Sequence, residues 1–166
     1  MRHTVLALAF LALTGCGGAA PLAGAMLHDS QGPARSVPIR LHAALSLNSG
    51  REGRPLALVA RIYKLRQSAA FERASFESFM NPAIERELLG ADLIGVREVQ
   101  LVPGQRYEAV EKVSREAAFI GVVALFREPA ANQWRASFSA ADAERQGITL
   151  GLQRCGMTAG AAAATC

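Results

Sequence analysis

The sequence predicts a mainly β protein, a sandwich of two sheets with a small helical insert after the second strand. Three observations carry this. Apolar residues alternate at period two in several short runs, the pattern of half-buried strands. Turn formers such as Pro103-Gly104 separate those runs. Helix punctuation is confined to the segment between Ser68 and Gly90. About seven or eight short strands with few long helices is the composition of a β-sandwich.

The first strand starts at Val37. Val37, Ile39, Leu41, Ala43, Leu45 and Leu47 alternate with Pro38, Arg40, His42, Ala44 and Ser46. A turn-rich loop runs from Asn48 to Pro55. Leu56 to Leu65 is a second strand, apolar on both faces at its start. These two strands form a hairpin or belong to different sheets. Ser68 stands at the N-cap of a helix whose apolar side holds Phe71, Phe76, Phe79 and Met80. Asn81-Pro82 ends it, and Pro82 suits the first turn of another helix. In that helix Ile84, Leu88 and Leu89 are expected to face the core, with Glu85, Arg86 and Glu87 in water and Gly90 as C-cap. The β pattern returns over Ile94 to Val102, with a slip of phase near Arg97-Glu98 that suits a bulge. Gln105 to Val113 is more polar, as at a sheet edge. Ala117 to Arg127 is nearly all apolar, as in a central strand. Gln133 to Ser139 alternates Trp134, Ala136 and Phe138, and Ile148 to Leu152 closes the core.

The N-terminus points to a compartment. Met1-Arg2-His3 is a positive n-region and Val5 to Leu13 an apolar h-region. At ~1.5 Å per residue that run cannot cross ~30 Å of hydrocarbon, so it reads as a signal peptide rather than a span. It leads into Leu13-Thr14-Gly15-Cys16, which resembles the lipobox of bacterial lipoproteins. A small residue before the scissile bond fits a tight peptidase pocket. The Cys16 thiol accepts a thioether-linked diacylglycerol, and its freed amine is then acylated. Several acyl chains anchor far more firmly than one. Gly17 in place of Asp favours the outer membrane, by the same resemblance. The expected organisation is a signal peptide (1–15), lipidated Cys16 with a flexible tether (16–36), a sandwich (37–154) with its insert at about 68–90, and a C-terminal tail (155–166).

The 166 residues are 51% apolar and 19% charged, which excludes a disordered acidic tail and a fibrous repeat. The formal charge of +4 includes Arg2 of the leader, and the basic residues are spread along the chain rather than clustered. A nucleic-acid partner is therefore not expected. Cys155 and Cys166 form an even pair once Cys16 is lipidated, and an oxidising compartment makes them disulfide candidates. Two free thiols are the alternative.

Nothing in the chain assembles an enzyme's motif. A Gly-x-Ser-x-Gly elbow, a phosphate loop and His-Glu-x-x-His are all missing. His3 falls in the leader and His28 in the tether, and His42 lies on the polar phase of the first strand. Too few ligands accompany it for a metal site. Asp92 reads as a residue near a helix end and Glu98 as a strand neighbour of Arg97; Trp134 and Phe138 read as core. The chain is expected to act without a metal, a cofactor or a small-molecule substrate, apart from the lipid on Cys16.

An ordered set of motifs resembles one family. After the lipobox come Leu47-Asn48 and then Gly53-Arg54-Pro55-Leu56, leading into Val59-Ala60-Arg61-Ile62-Tyr63-Lys64-Leu65. The phenylalanine helix from Phe71 to Phe79 follows. Next are Leu88-Leu89-Gly90-Ala91-Asp92-Leu93, Arg97-Glu98 and Leu101-Val102-Pro103-Gly104-Gln105. Last are Phe119 to Arg127 and Trp134-Arg135. In this order they resemble the outer-membrane lipoprotein of the type VI secretion system, the TssJ (SciN/VasD-like) family. The resemblance implies a transthyretin-like sandwich and a structural role in the periplasm. It implies binding to the periplasmic part of the inner-membrane protein TssM, with TssL in the same complex. It assigns partner contact to the loop between the first two strands, here Asn48, Ser49, Gly50, Arg51, Glu52, Gly53 and Arg54. Without the resemblance that loop reads as a plain solvated hairpin loop. The other reading of the whole chain is an outer-membrane sandwich lipoprotein that carries a hydrophobic ligand or chaperones an envelope protein.

Overall fold

The computed structural model describes residues 32–51 and 53–160, all within a unit spanning Gln31–Cys166. The leader, Cys16, most of the tether, Glu52 and Cys166 lie outside the described residues. The strands are β1 (Arg35–Ala43), β2 (Leu58–Leu65), β3 (Leu93–Leu101), β4 (Arg106–Val113), β5 (Phe119–Ala124), β6 (Arg135–Ser139), β7 (Ile148–Leu152) and β8 (Met157–Ala159). Helices α1 (Ala69–Arg73), α2 (Phe76–Met80) and α3 (Pro82–Leu89) form the insert between β2 and β3. Helix α4 (Ala140–Gln146) joins β6 to β7. One sheet has the order β4-β1-β7-β8 and the other β3-β2-β5-β6. All pairings are antiparallel except β1 with β7. This is the expected mainly β, two-sheet, transthyretin-like sandwich with its helical insert.

Alternation decides what each strand buries. Val37, Ile39, Leu41 and Ala43 of β1 are buried, and the register sets Ile39, Leu41 and Ala43 beside Ile148, Leu150 and Leu152 of β7. Leu58, Ala60 and Ile62 of β2 meet them from the second sheet, with Ile120, Val122 and Ala124 of β5 alongside. The inward phase of β4 also carries a carboxylate. Glu111, 4% exposed, lies opposite Val37 and receives two cations from the other sheet. Lys64 Nζ stands 3.1 Å from Oε2, and Arg97 Nη1 2.9 Å from Oε1. The pair of edge strands β3 and β4 is thus tied across the sandwich by charge, where a buried carboxylate alone would be strongly unfavourable.

The other face of the second sheet is covered by the insert. Tyr63, Phe71 and Phe79 pack with ring centroids 5.5–5.7 Å apart, and Trp134 meets Phe76 and Phe79 at 5.2 and 5.6 Å. These tilted and edge-on geometries suit the ring quadrupoles. Arg61 Nη1 binds Glu85 at 2.7 Å and the Phe79 carbonyl at 2.9 Å, and Tyr63 Oη donates to Glu85 at 2.9 Å. Arg135 adds bonds to the Phe71 and Ala74 carbonyls. Asn81 caps α3, its Oδ1 accepting from Ala83 and Ile84 N–H. Ser68 holds the N-cap position of α1 without a side-chain capping bond.

Several expectations need correction. Strand β1 begins at Arg35, inside the expected tether, and stops at Ala43 although the alternation runs on to Leu47. Residues 45–48 instead turn out of the sheet, leaving Leu45 exposed and Leu47 buried. Of the two arrangements left open for the first two strands, they take the one in different sheets. In α3, Glu85 faces inward, 7% exposed, while Ile84 is half exposed, because Arg61 and Tyr63 beneath the helix offer the carboxylate partners. The register break falls between Lys64 and Leu65, opposite Gly95 and Leu93, ahead of the expected Arg97-Glu98. Helix α4 was not expected at all. The segment assigned to the tail supplies β8, which extends the first sheet beyond residue 154.

Candidate functional site

The strand directions place four connections at one end of the sandwich: β1–β2, β3–β4, β5–β6 and β7–β8. Residues 32–34 join β1 at the opposite end. Three of the four connections are stitched together around the segment Asn48–Arg51. Asn48, at φ 50°, gives its N–H to the Gln153 carbonyl and its side-chain amide to the Ala57 carbonyl. Its Oδ1 accepts from Arg127 N–H at 2.8 Å. Gly50 N–H reaches the Arg154 carbonyl, and Arg154 Nη2 returns a bond to the Gly50 carbonyl at 3.0 Å. Arg51 N–H donates to Glu128 Oε2 at 3.0 Å.

Gly50 is needed where it stands. Its φ is +55°, and a Cβ there would come within 3.0 Å of the Glu128 carboxyl carbon. Only glycine fits both the left-handed backbone and the close carboxylate without strain. Glu128 therefore acts as a latch that holds the loop from the neighbouring connection. A cleft of about 460 Å³ opens beside it, lined among others by Arg51, Glu128, Ala130 and Arg154.

The residues assigned to partner contact thus fall into two groups. Asn48, Ser49 and Gly50 are buried and shape the base of the loop. Arg51, with its side chain 97% exposed, and Gly53 and Arg54, also exposed, form its outer part. Glu52 lies outside the described residues. Cys155, close by, is buried and disulfide-bonded; Cys166 lies outside the described residues. The lipidation residue Cys16 does too. Glu128 and Arg154 are the members that reading the chain in order misses. Each sits alone in its own loop, and only the fold brings them to Gly50. Among the described residues there is no group of three or more His, Cys, Asp or Glu able to hold a metal. No described helix is long and apolar enough to cross a membrane.

Fold and site together define a class: a two-sheet β-sandwich domain, helix-covered on one face, that presents ordered loops at one end. The chain belongs to the family described as type VI secretion lipoprotein, VasD, EvfM, TssJ, VC_A0113, whose model matches residues 35–155. It is similar to the type VI secretion lipoprotein TssJ1 from Pseudomonas aeruginosa, at 28% identity and a TM-score of 0.65 over 79% of this chain and 100% of that one. A chain in a structure described as "Type VI membrane complex" is 24% identical, with a TM-score of 0.69 over 77% of this chain and 99% of that one. A chain in a structure described as "T6SS protein TssM C-terminal domain (869-1107) from EAEC" is 23% identical, with a TM-score of 0.65 over 77% and 99%. The last two likenesses show the fold. No curated protein matches the sequence.

Proposed function

We propose that this lipoprotein is the outer-membrane anchor of a type VI secretion membrane complex and binds the periplasmic domain of TssM. Its acyl chains on Cys16 fix one end in the outer membrane, and the sandwich faces the periplasm. The loop end meets TssM, and TssL completes the complex across the inner membrane. The family match over residues 35–155 carries this reading. It is supported by the occurrence of the same fold in structures described as the type VI membrane complex and the TssM C-terminal domain. The bonded segment Asn48–Arg51 adds to it, since a segment already held in shape loses less entropy on binding. The work is binding rather than catalysis, and the space between the sheets is filled by the aliphatic side chains of β1, β2, β5 and β7.

Calorimetric titration tests this, using soluble residues 17–166 and the periplasmic C-terminal part of the TssM-like protein of the same genome. Saturable one-to-one binding is expected. Two folded proteins that show no heat of binding would overturn it.

A further inference from the structure

Among the described residues, acids and cations are unevenly distributed between the two ends of the sandwich. At the end where the chain joins β1, cations meet acids: Arg66 with Glu116, and both Arg35 and Arg115 with Glu144. At the loop end the described charged side chains are Arg51, Arg54, Arg106, Arg127, Arg154 and the acid Glu128; the sequence of the β1–β2 loop adds one further acid, Glu52, so arginines still outnumber acids. Glu128 is spoken for by Arg51 N–H and by the guanidinium groups of Arg51 and Arg127, at 3.9 and 4.0 Å. Arg54, Arg106 and Arg154 are exposed around it.

The same end exposes aliphatic side chains. Leu45 is 81% exposed and Val102 51%. Leu45 leans on the β3–β4 turn, its Cδ2 3.1 Å from where a Cβ on Gly104 would stand. With His42, Arg106 and Gln153 it lines a cleft of about 380 Å³. Gln153 leads directly into Arg154, so the aliphatic and cationic parts are continuous.

We infer that the loop end is one composite docking surface for an acidic segment of the periplasmic partner, with an aliphatic side chain of that segment seated against Leu45 beside Arg106. This rests on the TssM reading and adds the partner's chemistry and residues outside the β1–β2 loop. Exposed arginines act mainly on encounter rate and register. A seated aliphatic group excludes water and slows dissociation.

Binding kinetics of residues 17–166 with the same TssM-like domain, at low and high salt, decide the matter. The wild-type association rate is expected to fall about tenfold as salt rises through the physiological range. Arg106→Glu, which lies on β4 and leaves the β1–β2 loop untouched, is expected to lower the low-salt association rate at least threefold, with an unchanged thermal midpoint. Arg54→Glu is expected to do the same. Leu45→Ser is expected to speed dissociation with the association rate unchanged. Tight binding that ignores salt, Arg106→Glu and Leu45→Ser would overturn this inference and leave the TssM reading standing. Failure of the wild type to bind would overturn both.

Discussion

Gly121 decides how closely the helical insert lies on the second sheet. It sits on β5 opposite Tyr63, and a Cβ there would stand 2.6 Å from Phe71 Cζ. The ring occupies the space that any side chain would need. Gly121→Ala should therefore destabilise the fold by roughly 1–3 kcal/mol, the range for overpacking, read as a fall in urea midpoint. Tyr63, next to it, links packing to pH. Burial first, and then the Glu85 carboxylate, push its hydroxyl above the ordinary 10.0. The unfolded chain loses this proton near pH 10 while the folded chain keeps it. Stability from the protonated Tyr63 is thus complete below the unfolded value and is lost as pH rises towards the folded one. Tyr63→Phe should flatten the decline of the thermal midpoint above about pH 10, at the expense of about 1 kcal/mol near neutrality for the lost bond to Glu85. An identical alkaline slope in both proteins would refute it.

Elements were legible where one face meets the core and the other meets water. The alternation of β1, the polar edge character of β4 and the apolar run of β5 all led to strands, although β1 stops short of the expected Leu47 and β5 occupies only Phe119–Ala124 of its apolar run. The stop signals Asn81-Pro82 and Gly90 placed α3. The failures share a cause, a partner distant in sequence. The face of α3 followed Arg61 and Tyr63 rather than its own apolar pattern. Helix α4 buries only alanines, Ala140 and Ala143, so it shows almost no apolar stripe to read. Strand β8 exists because β7 offers it an edge. In the candidate site, the β1–β2 loop was visible from its turn residues, whereas the latch of Glu128 and Arg154 was not. The insert's hold on the sheet is testable as an element. Phe79 contacts Tyr63, Phe71 and Trp134 at once. Phe79→Ala should lower stability by about 3–5 kcal/mol and speed amide exchange in α1–α3 before β1 and β7. Uniform loss of protection across both sheets would contradict that order.

At the scale of the whole molecule, anchor and sandwich are expected to be separable. Cys16→Ala should move the protein from the membrane to the soluble periplasmic fraction and abolish secretion, with the circular dichroism and thermal midpoint of the domain unchanged. Normal secretion by this variant would remove the anchor from the proposed function. The opposite positions of the chain's junction with β1 and of the loop end have a mechanical meaning. On the proposed function, tension between a tethered N-terminal side and a partner at the loops would run along the axis of β1. That strand is held over Arg35–His42 by β4 and over Ile39–Ala43 by β7. Its hydrogen bonds lie across the pull and must shear together rather than peel one by one. Under such a load the strand in the middle of the first sheet is placed to resist as a clamp. The rate at which that clamp slips under force, more than the equilibrium stability of the fold, would set how long the link across the envelope survives.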